Sequence, residues 1–268
     1  MPTSFSHTGN TQSIVKKAKA MKDDFDSQRE IPIPNDDERW REAFAYWDRR
    51  SDRDEARNAV DIFEELADAY PDESNAWAWV ARCYYWMGDS TRDKDERKRN
   101  FHEGYEAGKR GVKIDKESVP CNFWGASCLA QYSLAGNSLT KATQLPTVLE
   151  MLKVVNKRQS DYFHDGLARF LAISMAYAPK IAETALKLLG QKVTLEDLTH
   201  RLETQIQTNP NFISNYVTLA EVSKGLKKME EARAWLEKGM AVDPDADPLL
   251  APENELDHER LERRLNEW

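Results

Sequence analysis

Residues 214–244 read SNYVTLAEVSKGLKKMEEARAWLEKGMAVDP, and the spacing within this stretch decides the fold. Tyr216, Leu219, Ala220 and Ser223 fall at i, i+3, i+4 and i+7, which places them on one face of a first helix. Ala232, Leu236 and Gly239 follow on a second helix, and Pro244 closes the unit. This is the phase of the tetratricopeptide pattern, a helix–turn–helix repeat of about 34 residues. Ser223 stands where a tyrosine is usual. The alanines and the glycine have a mechanical reason: they lie where paired helix backbones approach most closely, and larger side chains would hold them apart. The proline ends the second helix and begins the next turn.

Working outward, a second unit begins at Asn75, with Trp77, Val80, Ala81, Tyr84 and Gly88 in the same phase. A charged insertion, Asp89 to Arg99, delays its second helix, which then carries Gly104, Gly108 and Gly111. Upstream, Ala59, Phe63 and Leu66 lead into Pro71 as the second helix of a partial unit, whose first helix around Trp40 to Trp47 matches poorly. The middle predicts helices over Pro120–Ala135, Leu145–Lys157, Phe163–Ala178, Ala182–Gly190 and Leu195–Thr208. A Gly136-Asn137-Ser138 break follows the first of these, Pro146 sits in the first turn of the second, and Thr194 with Asp197 offers a capping box for the last. Residues 1–35 form a flexible or loosely docked arm ending in Ile31-Pro32-Ile33-Pro34, where alternating prolines prevent a helix. Residues 36–268 are expected to form one domain with a C-terminal helix, and no segment shows strand alternation. The expected fold is all-α: a tetratricopeptide-like solenoid of helical hairpins, wound as a right-handed superhelix of about ten helices.

Composition narrows the function classes. Lys and Arg total 38 against 46 Asp and Glu, a net charge of −8, and the basic run Lys94 to Arg99 is interleaved with acids. That disfavours a nucleic-acid partner, which needs concentrated positive charge. No apolar stretch approaches the ~20 residues of a bilayer span, and the first residues show neither an apolar signal region nor a lipid-attachment cysteine. Read literally, the protein is cytoplasmic; removal of a leader would make it periplasmic. Cys83, Cys121 and Cys128 read as small buried hydrophobes. The five histidines show no metal spacing. Asp243, Asp245 and Asp247 resemble the start of a calcium loop, but Pro248 stands where the turn needs glycine. Gly104–Lys109 is too short for a phosphate loop, and no nucleophile elbow or acid/base pair is present. The expectation is a binding protein with no cofactor and no catalytic residues.

Where binding would occur follows from the packing face. If Trp77, Val80, Ala81 and Tyr84 pack between helices, the intervening Asn75, Ala78, Arg82, Tyr85 and Trp86 line the concave groove. An arginine between aromatics and an amide suits an anionic or amphipathic ligand through hydrogen bonds and cation–π contact; alternatively Arg82 stacks on Trp79 or Trp86 and only stabilises the solenoid. Arg169 lies in an otherwise apolar helix and must be paired or face a cavity. Either Asp165, one turn earlier, pairs with it, or it is a ligand anchor near Trp124.

Four features occur in order: Trp124-Gly125-Ala126, Gly166-x-x-Arg169-Phe170-Leu171, Ala232-Arg233-x-x-Leu236 and Pro252-Glu253-Asn254. With them, the stretch from Trp40 to Leu265 resembles the TatT family, the tetratricopeptide component associated with TRAP transporters. The resemblance implies binding of a small organic solute and docking of a TRAP solute-binding protein; a homo-oligomer is a further expected partner. The alternative is a cytoplasmic scaffold that holds a protein partner in the same groove.

Overall fold

The computed structural model describes residues 29–135 and 138–268. Twelve α-helices make up the described residues: α1 Arg39–Trp47, α2 Arg53–Ala69, α3 Ser74–Ser90, α4 Lys94–Ile114, α5 Val119–Leu134, α6 Ser138–Arg158, α7 Tyr162–Tyr177, α8 Pro179–Leu189, α9 Leu195–Thr208, α10 Ser214–Gly225, α11 Met229–Met240 and α12 Ala251–Glu267. A short 3₁₀ turn, Pro244–Ala246, precedes the last. Most successive helices pack against one another, so the molecule is an all-α, solenoid-like stack.

The helix starts follow local chemistry. Asp52, Asp93 and Ser118 cap α2, α4 and α5 by accepting hydrogen bonds from first-turn N–H groups, each cap contributing about 1 kcal/mol. Thr194 and Asp197 form the anticipated reciprocal capping box at α9. Gly190 ends α8 at φ 66°, where a side chain would be strained; Gln191 N–H bonds to the Leu186 carbonyl at 3.0 Å across it.

Small residues meet where the repeat phase requires. A Cβ on Gly108 of α4 would lie 2.6 Å from the Gly125 Cα of α5, so the two backbones touch and Gly108 has no room for a side chain. Cys121 and Cys128 fill the neighbouring gaps against Gly111 and Gly104 of α4. All three cysteines are free and buried; burial pushes the Cys121 thiol up to about 12 and the other two higher. The core changes character along the stack. Trp40, Phe44, Phe63 and Trp79 interlock at the N-terminal end, the Phe63 and Trp79 rings stacking at 5.5 Å, while aliphatic residues of α6 to α9 fill the middle.

Several boundaries differ from expectation. The charged run after α3 is no long insertion: only three residues separate the end of α3 at Ser90 from the start of α4 at Lys94, and Lys94–Arg99 are its first turns. Helix α6 begins at Ser138, so Pro146 lies inside it rather than in its first turn. Proline removes one backbone bond there, and the helix upstream continues regardless. The break expected at Gly136 and Asn137 lies outside the described residues, as do residues 1–28 of the arm. Residues 29–37 are docked against the domain: Ile31 is fully buried, and Asn35 accepts a hydrogen bond from the Trp40 indole at 3.0 Å. Phe163, His164 and Asp165 at the start of α7 have φ of 50°, 51° and 64°. They form a left-handed turn rather than the expected first turn of a helix.

Candidate functional site

Helices α1, α3, α5 and α7 turn aromatic and charged side chains toward one another, and the centre of that groove is Arg82. Its guanidinium lies 4.4 Å from the Trp124 ring centroid, 5.0 Å from Trp47 and 5.2 Å from Phe163, not over Trp79 or Trp86. It is 2% exposed, and two carboxylates reach it from distant parts of the chain. Glu30 accepts from Nε at 2.8 Å, and Glu253 of α12 accepts from Nη2. Glu253 also receives the guanidinium of Arg50, which donates to the carbonyls of Trp47 at 3.0 Å and Leu249 at 2.8 Å.

Two arginines and two glutamates thus balance in formal charge, which answers the high cost of burying a charge alone. Their environments differ. Burial would raise the Glu253 carboxyl, but Arg50 and Arg82 together hold it below the ordinary carboxylate range. For Glu30 burial wins: with Arg82 opposing and Glu253 adding repulsion, its carboxyl is raised. Burial works against the Arg82 charge, and the two carboxylates more than compensate, so it stays protonated. A cavity of about 280 Å³ opens beside the cluster, lined by Arg29, Glu30, Trp47, Arg50, Trp79, Arg82, His164, Asp247, Leu249 and Leu250.

Beyond Phe163 lies a second cation. Arg169 donates to the Phe163 carbonyl at 2.9 Å, to the His164 carbonyl at 2.5 Å and to Asn215 Oδ1 at 3.1 Å. The expected ion pair with Asp165 does not form. In the left-handed turn, Asp165 points away and gives both oxygens to Arg201 of α9, at 2.7 and 3.0 Å. Holding three non-glycine residues in that conformation costs about 1–2 kcal/mol each. The Arg169 and Arg201 bonds offset the strain, as does stacking of His164 on Phe212 at 4.1 Å. Burial pushes Arg169 down to about 10, still cationic at neutral pH, and burial with the nearby Arg169 charge pushes His164 down to about 4.

Arg82, Tyr85 and Trp124 are in mutual reach, the Tyr85 and Trp124 rings 5.2 Å apart, and Arg169 follows across Phe163. Trp86 faces Arg50 and donates its indole N–H to the Arg50 carbonyl at 2.9 Å. Asn75 stands at the rim and donates to the Pro32 carbonyl at 3.1 Å. Sequence reasoning missed Glu30, Trp47, Arg50, Glu253, and the turn at Phe163–Asp165. Only Glu253 left a trace, as the middle of Pro252-Glu253-Asn254.

The groove is occupied by the chain itself. Helix α12 carries Glu253 at one end and Arg264, which meets Glu221 of α10 at 2.5 Å, at the other. Between them Asp257 accepts from Ser214, and Arg260 bonds to Asp89 at 2.8 Å. A single helix therefore braces the first repeats against the last.

The stack, its brace and its closed groove define an all-α helical-repeat protein. Residues 43–263 match the family described as Regulator of microtubule dynamics protein 1-3, and the chain belongs to that family. Among curated proteins none matches the chain. The match overturns the resemblance to the TatT family. The residues that suggested it have packing duties: Gly125 meets Gly108, Gly166 makes room for Phe123, and Asn254 bonds to the Ile213 N–H and the Asn211 carbonyl. Such duties recur wherever helices stack closely and carry no information about transport. Among the described residues no helix is long and apolar enough to cross a membrane.

Proposed function

We propose that the chain is a non-enzymatic docking module that influences microtubule dynamics by holding a protein partner in the groove around Arg82. The observation that carries this reading is the groove's present occupancy. Its charged and amide side chains already grip polypeptide, through the Glu30 and Glu253 carboxylates and the Pro32 carbonyl. Side chains that pair with carboxylates and read a backbone carbonyl suit an extended chain or a helix. The family description supplies the process, and the groove supplies the mode of action.

The test is microtubule growth and shortening rates, followed by light microscopy in a cell extract supplemented with the purified chain. A concentration-dependent change in either rate supports the proposal. Unchanged rates at chain concentrations well above that of tubulin contradict it.

A further inference from the structure

The segment Arg29-Glu30-Ile31-Pro32 lies against the domain without joining a helix, and each of its residues meets a separate receptor. Arg29 forms a two-pronged ion pair with Asp48, at 2.6 and 2.9 Å, and its guanidinium covers the Phe44 ring at 4.3 Å. Glu30 bonds to Arg82 at 2.8 Å. Ile31 is fully buried in the aromatic cluster of α1 and α3. The Pro32 carbonyl accepts from Asn75 at 3.1 Å. A receptor of this kind reads a linear order of charge, opposite charge, apolar bulk and proline. Nothing in it depends on the segment being covalently joined to α1.

We infer that the face formed by Phe44, Asp48, Asn75 and Arg82 is a docking site for an extended peptide of a partner protein, with a basic, an acidic, an apolar residue and a proline in that order, and that residues 29–32 occupy it in the partner's absence. The inference rests on the docking reading above and names the partner's chemistry. Complementarity argues for a peptide: Asp48 takes the cation, Arg82 the carboxylate, and Asn75 the backbone. The adjacent cavity of about 280 Å³ leaves room for an acidic residue bulkier at its tip than Glu30, such as a phosphorylated side chain. A tethered segment competes at an effective concentration on the order of millimolar, so a partner gains access when the segment is loosened or outnumbered.

The probe is a fluorescein-labelled peptide of the sequence REIPIPN, residues 29–35, titrated into the full chain and followed by anisotropy. In the wild type the tethered segment blocks it. The Ile31→Ala chain, which loses the buried anchor, binds at least tenfold more tightly, and a peptide of scrambled order does not bind. Adding Asp48→Ala to Ile31→Ala reduces the affinity at least fivefold. A folded Ile31→Ala chain, judged by circular dichroism, that binds no better than wild type overturns the inference, as does equal binding of the scrambled peptide. Should Ile31→Ala unfold, hydrogen exchange on the wild type decides: millimolar peptide accelerates exchange at residues 29–33, and unchanged exchange overturns it. A wild-type dimer that the peptide dissociates assigns the site to a second copy and overturns the choice of a foreign partner. Peptide binding without an effect on microtubules sinks the microtubule reading alone; a microtubule effect without peptide binding sinks this site alone.

Discussion

The first helix of one repeat, α3, and the first helix of another, α10, hold the same brace by its two ends with opposite charge. Arg82 stands five residues after Trp77, and Glu221 stands five residues after Tyr216, so the two occupy the same position of their repeats. Arg82 takes Glu253 in the first turn of α12, and Glu221 takes Arg264 in its last. Each charge on α12 also suits the helix dipole, negative at the amino end and positive at the carboxyl end. The difference lies in surroundings. The Arg82 side chain is 3% exposed, walled by three aromatic rings and shared with Glu30. The Glu221 side chain is 22% exposed and also accepts from the Tyr177 hydroxyl at 2.8 Å. One repeat position thus serves a buried polar core at one end of the molecule and a half-buried latch at the other.

The largest effect should come from breaking the buried end. Glu253→Ala leaves Arg50 and Arg82 short of a carboxylate and is expected to destabilise the fold by about 3–5 kcal/mol. Urea unfolding followed by tryptophan fluorescence measures it, and a loss under about 1 kcal/mol would show that the cluster relaxes into solvent.

The glycine seams sharpen the same contrast. Gly108→Ala forces a methyl onto the Gly125 backbone and should cost about 2–3 kcal/mol. Gly239→Ala meets the Leu261 Cδ1 of α12 at 2.8 Å, the far end of a side chain that can turn away, and should cost about 1 kcal/mol. Thermal unfolding of the two variants side by side orders them, and equal costs would place backbone contact at both seams. At the half-buried latch, Arg264→Ala is expected to cost about 1 kcal/mol, less than Glu253→Ala, with a dependence on salt that the buried pair lacks.

The two carboxylates on Arg82 respond to pH in opposite senses. Glu253 is depressed in the fold, so its contribution is full above its ordinary 4.5 and is lost as pH falls through its lower folded value. Glu30 is raised, so the fold favours its protonated form; its contribution is present below 4.5 and lost as pH rises through the folded value. Glu253→Gln should therefore flatten part of the acid limb of stability against pH, whereas Glu30→Gln should leave that limb in place and cost within about 1 kcal/mol at neutral pH. Matching acid limbs for the two variants would refute the assignment.

What the sequence made legible follows from range. The repeat phase at Trp77–Gly88 and Tyr216–Gly239 is a short-range signal, and it located the helices and their packing faces. The same reasoning set Arg82 and Trp86 off the packing stripe and on an open groove, whereas the structure buries both. It also located Arg169 as a charge in need of partners. It misassigned those partners, because helical spacing presumes a helix and the turn at Phe163–Asp165 is left-handed. No periodicity announces that Glu30 and Glu253 meet on Arg82: the contacts join residues 52 and 171 positions apart. The family resemblance failed for a related reason. Glycine seams and a buried Asn254 are demands of stacking that unrelated duties share.

Burial decides what one repeat position does at each end of α12. Double-mutant cycles in full-length chain measure this directly, one for Arg82 with Glu253 and one for Glu221 with Arg264. The buried pair should show a coupling of about 2 kcal/mol or more and the half-buried pair about 1 kcal/mol or less. Equal couplings, or a larger one at Glu221 and Arg264, would contradict it.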